Sequence, residues 1–376
     1  MTTTVDSLEP ADVARVHRAY GQEHRRLHPA VWRELQHSGL AGACLPASLG
    51  GTPLPVPGLL AAITELAAAD ASAGWVAAIT GPAGLFAALL PHDAARALLS
   101  AAAAGQVPFL GGSSHPAGIA EAAPGGGYQL SGRWPLVTGA RRLHLCFLAA
   151  RLGADGEVRW CAVPREAVEV EDDWRAHGLQ ATDSVTVHTR RLHVPAEHLV
   201  DLTTNAPTEG DDPLSAFPRY GLMAAALAAA AVGAAHAAVD RFAQVAGRHR
   251  PRGAAGVLGQ QGHVHEAAAR AQGRLESADT YLTHTATQAW EAAHHGRVDG
   301  RLRAALRLAA CEAADAARVC AHRLFQASGS AGVYEAGGLA APMRDLDVMA
   351  QHALLGPAAA QRAGRYLLTG DCPKDL

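Results

Sequence analysis

The run at 221–239, GLMAAALAAAAVGAAHAAV, restricts the fold most, because it carries no Asp, Glu, Lys or Arg. An apolar stretch of about 20 residues is long enough to cross a bilayer. Most positions here are Ala, however, whose transfer free energy is small beside that of Leu or Ile. His236 interrupts the run, and Asp240 and Arg241 follow it at once. The expectation is a helix buried inside protein, with small side chains that let neighbouring helices approach closely, and no membrane span.

Helix-period patterns place that segment in a set at about 213–247, 258–296, 300–328 and 342–369. The gaps carry Pro and Gly, as in GRHRPRGAAG and SGSAGVYEAGG, and four long amphipathic helices with short connections read as a bundle. Near the start, Leu35, Leu40, Leu59, Leu60, Ile63, Leu66, Trp75, Val76 and Ile79 recur at helical spacing between the turn signals LGGTPLPVPG and TGPAG. Between these parts Gly and Pro rise, and short β-rich runs appear: GGGYQLSGRWPLVTG, LHLCFLAARL, GEVRWCAVP and SVTVHTRRLHVP. In the last, Val185 and Val187 alternate with Thr186 and His188, the period of a half-buried strand. The expected class is α+β: an N-terminal helical domain at 1–104, a central antiparallel β-barrel domain at 105–205, and a C-terminal four-helix bundle at 206–376.

The bulk numbers narrow the partners. With 376 residues, 49% hydrophobic and 18% charged, the chain can fill a large core. A net charge of −3 offers no basic field to nucleic acid or anionic lipid. The opening MTTTVDSLEPADV lacks the basic and apolar regions of a signal peptide, and the six Cys form no Cys-x-x-Cys, so a cytoplasmic location with reduced thiols is expected. The histidines His263, His265, His284, His294 and His295 lack the spacing and companions of a coordination shell, so no metal is expected. The acidic run EVEDDW at 169–174 reads as a solvated turn.

Four segments, in this order, carry a resemblance: LPASLGG with ELAAADASAGWVAAI; GGYQLSGRWPLVTGARRLHLCFLAA; WRAHGLQATDSVTVHTRRLHVPAEHL; and LFQASGSAGVYEAGGLAAPMRDLDVMAQH. Together they resemble the acyl-CoA dehydrogenase fold, and more closely its branch of two-component (group D) flavin-dependent monooxygenases. The resemblance implies reduced FMN, or FAD, delivered by a separate NAD(P)H:flavin reductase. It also implies O2 activation through a flavin C4a-hydroperoxide, a small-molecule substrate, and a homotetramer or homodimer. The expected activity is hydroxylation of an aromatic or polyketide-like specialised metabolite. The alternatives are N-oxygenation of an amine or amino sugar, dehydrogenation with a relocated base, and a relative that only binds ligand.

The same resemblance assigns residues. In GRWPLVTG, Trp134, Thr138 and Gly139 are expected against the isoalloxazine, with the Thr138 hydroxyl near flavin N5. Without the resemblance the strand reads as a core Trp and a surface Thr. In GGSSHPAG, Ser113 and Ser114 are expected near the flavin edge, although a plain Gly-rich turn explains the loop equally well. In QASGSAGVYE, Ser328, Gly329 and Ser330 are expected on the flavin phosphate, a helix C-cap being the alternative. Arg250, with Arg252 in reserve, comes from the basic cluster GRHRPRG, which otherwise reads as a solvated loop.

The segment MRDLDVMAQHALLGP answers a separate question. Acyl-CoA dehydrogenases continue from this Arg-Asp pair to a catalytic Glu, and here that position falls on Ala353. Dehydrogenation by that base is therefore disfavoured, and His352 is the expected catalytic residue, suited to handling a proton near an oxygenated flavin. Gln351, Trp75 and His115 are expected on the substrate. Phenol hydroxylases of the branch often carry a His just after the GW helix, where this chain has Pro82 and Ala83. The substrate is then not a simple phenol, or His115, His144 or His177 takes that part.

Overall fold

A computed structural model describes residues 9–100, 106–202, 212–334, 338–373 and 376. The expected domain junctions at 104/105 and 205/206 lie outside the described residues.

Helices come first: α1 (Pro10–His24), α2 (Pro29–His37), α3 (Val56–Ala69), α4 (Ala71–Thr80), α5 (Gly84–Ala87) and α6 (His92–Leu99). Strands follow: β1 (Leu110–Ala122), β2 (Tyr128–Val137), β3 (Leu145–Leu152), β4 (Val158–Pro164), β5 (Glu169–Val170), β6 (Val185–Val194) and β7 (Leu199–Val200). The last part is α7 (Pro213–Ala216), α8 (Arg219–Arg248), α9 (Gly262–Ala293), α10 (Gly300–Ala327), α11 (Ala340–Met349) and α12 (Pro357–Thr369). The helix–sheet–helix order is the expected one.

Helix α8 contains the Ala-rich run. Among the described residues it is the one helix long and apolar enough to cross a membrane, yet 78% of its most apolar window is buried inside the protein. Its small residues are used for close packing. A Cβ placed on Gly233 would lie 2.1 Å from the Thr64 carbonyl oxygen of α3, and the Thr64 hydroxyl donates to Ala229 O of α8 at 3.2 Å. The loss of backbone order that Gly brings to a helix is offset by this approach.

The strands form one seven-stranded sheet in the order β5-β6-β2-β1-β3-β4-β7. It is mixed, since β1 and β3 pair in parallel while the other neighbours are antiparallel. The reason is a crossover. A turn through Gly125, Gly126 and Gly127, all at positive φ, folds β2 back along one edge of β1. Residues 138–144 then carry the chain past β1, so that β3 enters on its other edge running the same way. The β1 ladder shifts register between Ser113 and Gly118, which bends the strand locally.

The stretch expected as a single helix at 342–369 is two helices. The first ends at Met349, and Gly356 and Pro357 start the second, with Pro at the first helical position. His352 therefore sits in the turn between α11 and α12 and not on a helix face.

Candidate active site

Helices α4 and α11 and the end of β2 meet around the loop at 178–184. Asp70 caps α4, accepting from Ser72 N at 2.8 Å and Ala73 N at 3.0 Å. Ser72 Oγ accepts from Ala181 N at 3.3 Å. Asp345 of α11 accepts from Leu179 N at 2.6 Å. Gly178 lies so close to α11 that a Cβ there would be 2.3 Å from Arg344 O. Just past β2, Thr138 Oγ1 is 3.0 Å from Ser184 Oγ, and Ser184 Oγ is 2.7 Å from Thr182 Oγ1. Gly139 follows at φ +65°, its N–H donating to Thr182 O at 2.9 Å, and a Cβ there would meet Trp32 at 2.7 Å.

The same helices α4 and α11 bring Trp75 to His352. The two rings meet edge to face, with centroids 5.7 Å apart. Burial, and then the charge of Arg307, hold the imidazole down to about 4, so it is neutral near pH 7. Its Nδ1 accepts from Leu354 N at 3.2 Å, which leaves the ring proton on Nε2. Asp345 shifts the other way, pushed up to about 6 by burial, with the Leu179 N–H opposing the rise. Burial also raises Asp70.

Other expected residues stand elsewhere. Trp134 is fully buried, its Nε1–H donates to Ala149 O at 2.7 Å, and its ring covers Gly118 and Gly132. It is packed as a core residue. Ser328 is buried at the end of α10, and its hydroxyl donates to Phe325 O at 2.6 Å. Gly329 and Ser330 are exposed beside it, and Arg250 and Arg252 are exposed in the loop after α8. In β1, Ser113 points inward and its Oγ accepts from His115 N at 3.4 Å, while Ser114 and His115 lie exposed on the irregular part of the strand. Gln351 is exposed, with Nε2 3.4 Å from Asp347 O. His144 accepts from Phe109 N at 3.0 Å through Nδ1 and braces that strand entry, and His177 is exposed.

The run at 169–174 is anchored and not merely solvated. Glu171 takes Arg133 in a two-pronged pair at 2.9 and 2.7 Å, and Asp173 accepts from Thr186 N and Oγ1 at 2.9 and 2.5 Å. Asp172 and Asp183 share Arg141.

Two cavities open elsewhere. One of about 370 Å³ lies between α3, α8 and α9, beside Leu60, Thr64, Glu65, His236 and Asp279. The other, of about 200 Å³, adjoins Phe217, Arg219, Tyr220, Arg303 and Leu376. Neither wall includes an expected site residue. The residues that reading missed are Asp345, Asp70, Ser184 and Thr182. Spacing gave no signal for them, because their partners come from other elements.

The chemistry present is a hydroxyl at Thr138, a proton at His352 Nε2 and an aromatic ring at Trp75, with the Gly139 backbone packed under Trp32. These groups therefore fit an isoalloxazine by their chemistry.

Comparison with known proteins agrees with the fold. Residues 3–97 match the acyl-CoA dehydrogenase N-terminal domain and residues 225–357 the C-terminal domain of that family. Indole-3-acetate monooxygenase of Pseudomonas putida is 27% identical over 87% of this chain and 83% of its own length. The oxygenase component of the FADH(2)-dependent resorcinol hydroxylase of Rhizobium sp. is 30% identical over 65% of this chain and 61% of its own. The structure of XiaF from Streptomyces sp. in complex with FADH2 and glycerol superposes with a TM-score of 0.88 at 25% identity, covering 96% of this chain and 93% of that one. The chain belongs to the acyl-CoA dehydrogenase family, on its branch of flavin-dependent monooxygenases.

Proposed function

We propose that this protein is the oxygenase component of a two-component system, using reduced flavin from a separate reductase to hydroxylate an aromatic, polyketide-like metabolite. The flavin is FMN or FAD; FADH2 is the form named for two of the similar proteins. The observation that carries the reading is His352, neutral and edge-on to Trp75, beside Ala353 where a dehydrogenase of this fold has its base. Reduced flavin, when bound, would supply the two electrons that activate O2, one oxygen atom of which goes to substrate and the other to water.

The chain's own groups do the rest. Thr138 and Gly139 border the ring, and Trp75 offers an apolar wall to an aromatic substrate. His352 holds a proton at Nε2, where a neutral donor can share it with an oxygen-bearing group without adding charge.

The test uses purified protein, a generic flavin reductase with NADH, and a panel of indoles and polycyclic phenols under labelled O2. Label in a hydroxylated product supports the reading, and bleaching of bound oxidised flavin by an acyl-CoA overturns it. For His352→Gln we expect a loss in product rate of roughly 10²-fold, the usual scale for a proton-handling residue, with flavin affinity retained. The wild-type rate should hold down to an acid limb near the His352 value of about 4. A limb near the ordinary imidazole value would contradict the assignment.

A further inference from the structure

We propose that the cavity between α3, α8 and α9 binds a small organic cation, an apolar body carrying a primary or secondary ammonium group. The flavin reading gives this cavity no role, and neither Trp75 nor His352 is in its wall. Its volume is about 370 Å³, and pockets that hold small organic ligands span roughly 300–1,000 Å³. The base is apolar, because Leu60, Ala229, Leu282 and Ala286 are all buried there. Ala229 and Ala286 end at a methyl group, which leaves room that a longer side chain would fill.

The polar groups around this base are rich in acceptors. Thr64 donates its hydroxyl proton to Ala229 O at 3.2 Å, so only lone pairs remain for a ligand. Glu65 brings one carboxylate from α3 and Asp279 another from α9, and no Lys or Arg lines the cavity among the described residues. Asp279 Oδ2 lies 3.7 Å from His236 Nε2, beyond hydrogen-bond reach, the two side chains being 35% and 33% exposed. That gap leaves the carboxylate oxygen open to a donor entering the cavity. A metal ion does not suit the site, since among the described residues no three His, Cys, Asp or Glu side chains converge to hold one. An anion would meet lone pairs and negative charge. An ammonium group supplies N–H donors to the oxygens and the charge that complements both carboxylates, while its apolar body covers the base.

The experiment titrates the full chain by calorimetry, without flavin, using three probes that share an indole ring and differ in charge. These are tryptamine, a cation; tryptophol, which is neutral; and indole-3-acetate, an anion. Tryptamine should bind roughly tenfold more tightly than indole-3-acetate, with tryptophol between, and added salt should narrow the difference. Asp279→Asn and Glu65→Gln should each weaken tryptamine by up to about fivefold, the scale of a half-exposed ion pair, and leave tryptophol unchanged. Ala61→Phe starts from an exposed position on α3 and sets a ring in the mouth of the cavity, so it should abolish binding of tryptamine. A thermal melt confirms the fold of each variant. Equal affinity for the three probes, no binding of tryptamine, or tryptamine binding that survives Ala61→Phe or both carboxylate variants unchanged would overturn the proposal. No flavin or turnover enters the titration, so its result and that of the function proposed above are separate.

Discussion

Asp345 shows how one residue can serve geometry at a cost in solvation. Its carboxylate accepts the Leu179 N–H and so ties α11 to the loop that positions Thr182 and Ser184, yet burial pushes its pKa up to about 6. The folded protein then holds this proton at pH values where the unfolded chain, near its ordinary 3.8, has released it. Asp345 therefore contributes stability that is present below about 3.8 and lost as pH rises through about 6. His352 acts oppositely over much of the same range, because its folded value of about 4 lies below the ordinary 6.5 and favours the folded state as pH rises. Asp345→Asn keeps an oxygen for Leu179 N–H and removes the charge. We expect the variant to match or exceed wild type in denaturant midpoint at pH 7.5, and the stability difference between the two proteins to shrink as pH falls from 6.5 to 4.5. A variant much weaker than wild type at pH 7.5 would contradict this account.

Among the elements, what could be read from sequence was what periodicity carries. The Ala-rich α8 was legible because composition and length left it few places to go, and its burial follows. The parallel pairing of β1 with β3 was not, since it depends on a crossover at 138–144 whose residues show no period. The turn holding His352 was hidden because AQHALL is as good a helical string as its neighbours, and only Gly356-Pro357 marks the break. Trp75 and His352 were legible as residue types, but their meeting is a product of the fold. The same holds for Asp345, whose partner Leu179 is 166 positions away in the chain. Gly233 tests the packing between α3 and α8. Gly233→Ala sets a methyl 2.1 Å from Thr64 O, an overpacking that should cost about 1–3 kcal/mol by chemical denaturation. Gly247→Ala, in the last turn of the same helix, meets nothing within 4 Å. It should instead gain up to about 1 kcal/mol from helix propensity. Equal effects at the two sites would rule out close approach as the reason for Gly233.

On the scale of the whole molecule, the N-terminal helices and the sheet are joined through charge as well as through apolar packing. Asp183, at positive φ and with its side chain 8% exposed, is paired with Arg141 and lies 3.5 Å from Arg26, which also reaches Asp172 at 3.1 Å. Arg26 further bridges backbone to Thr182, so the segment after α1 is tied to the loop at 178–184. Burial raises the Asp183 pKa, and Arg141 and then Arg26 oppose the rise. Truncation of Arg141 removes the larger opposing charge and leaves a buried carboxylate with a half-exposed partner. Breaking a buried pair from one side costs about 3–5 kcal/mol, and Arg141, itself 23% exposed, places the expected loss toward the lower end. Arg141→Met should therefore unfold at a markedly lower denaturant concentration at pH 7.5. The deficit should shrink as pH falls, because protonation of Asp183 removes the unpaired charge that causes it. Arg141→Met combined with Asp183→Asn should recover most of the loss at pH 7.5, since neither charge then remains. If the double variant is no more stable than the single, the Arg141–Asp183 charge is not what holds the loop at 178–184 against the crossover at 138–144.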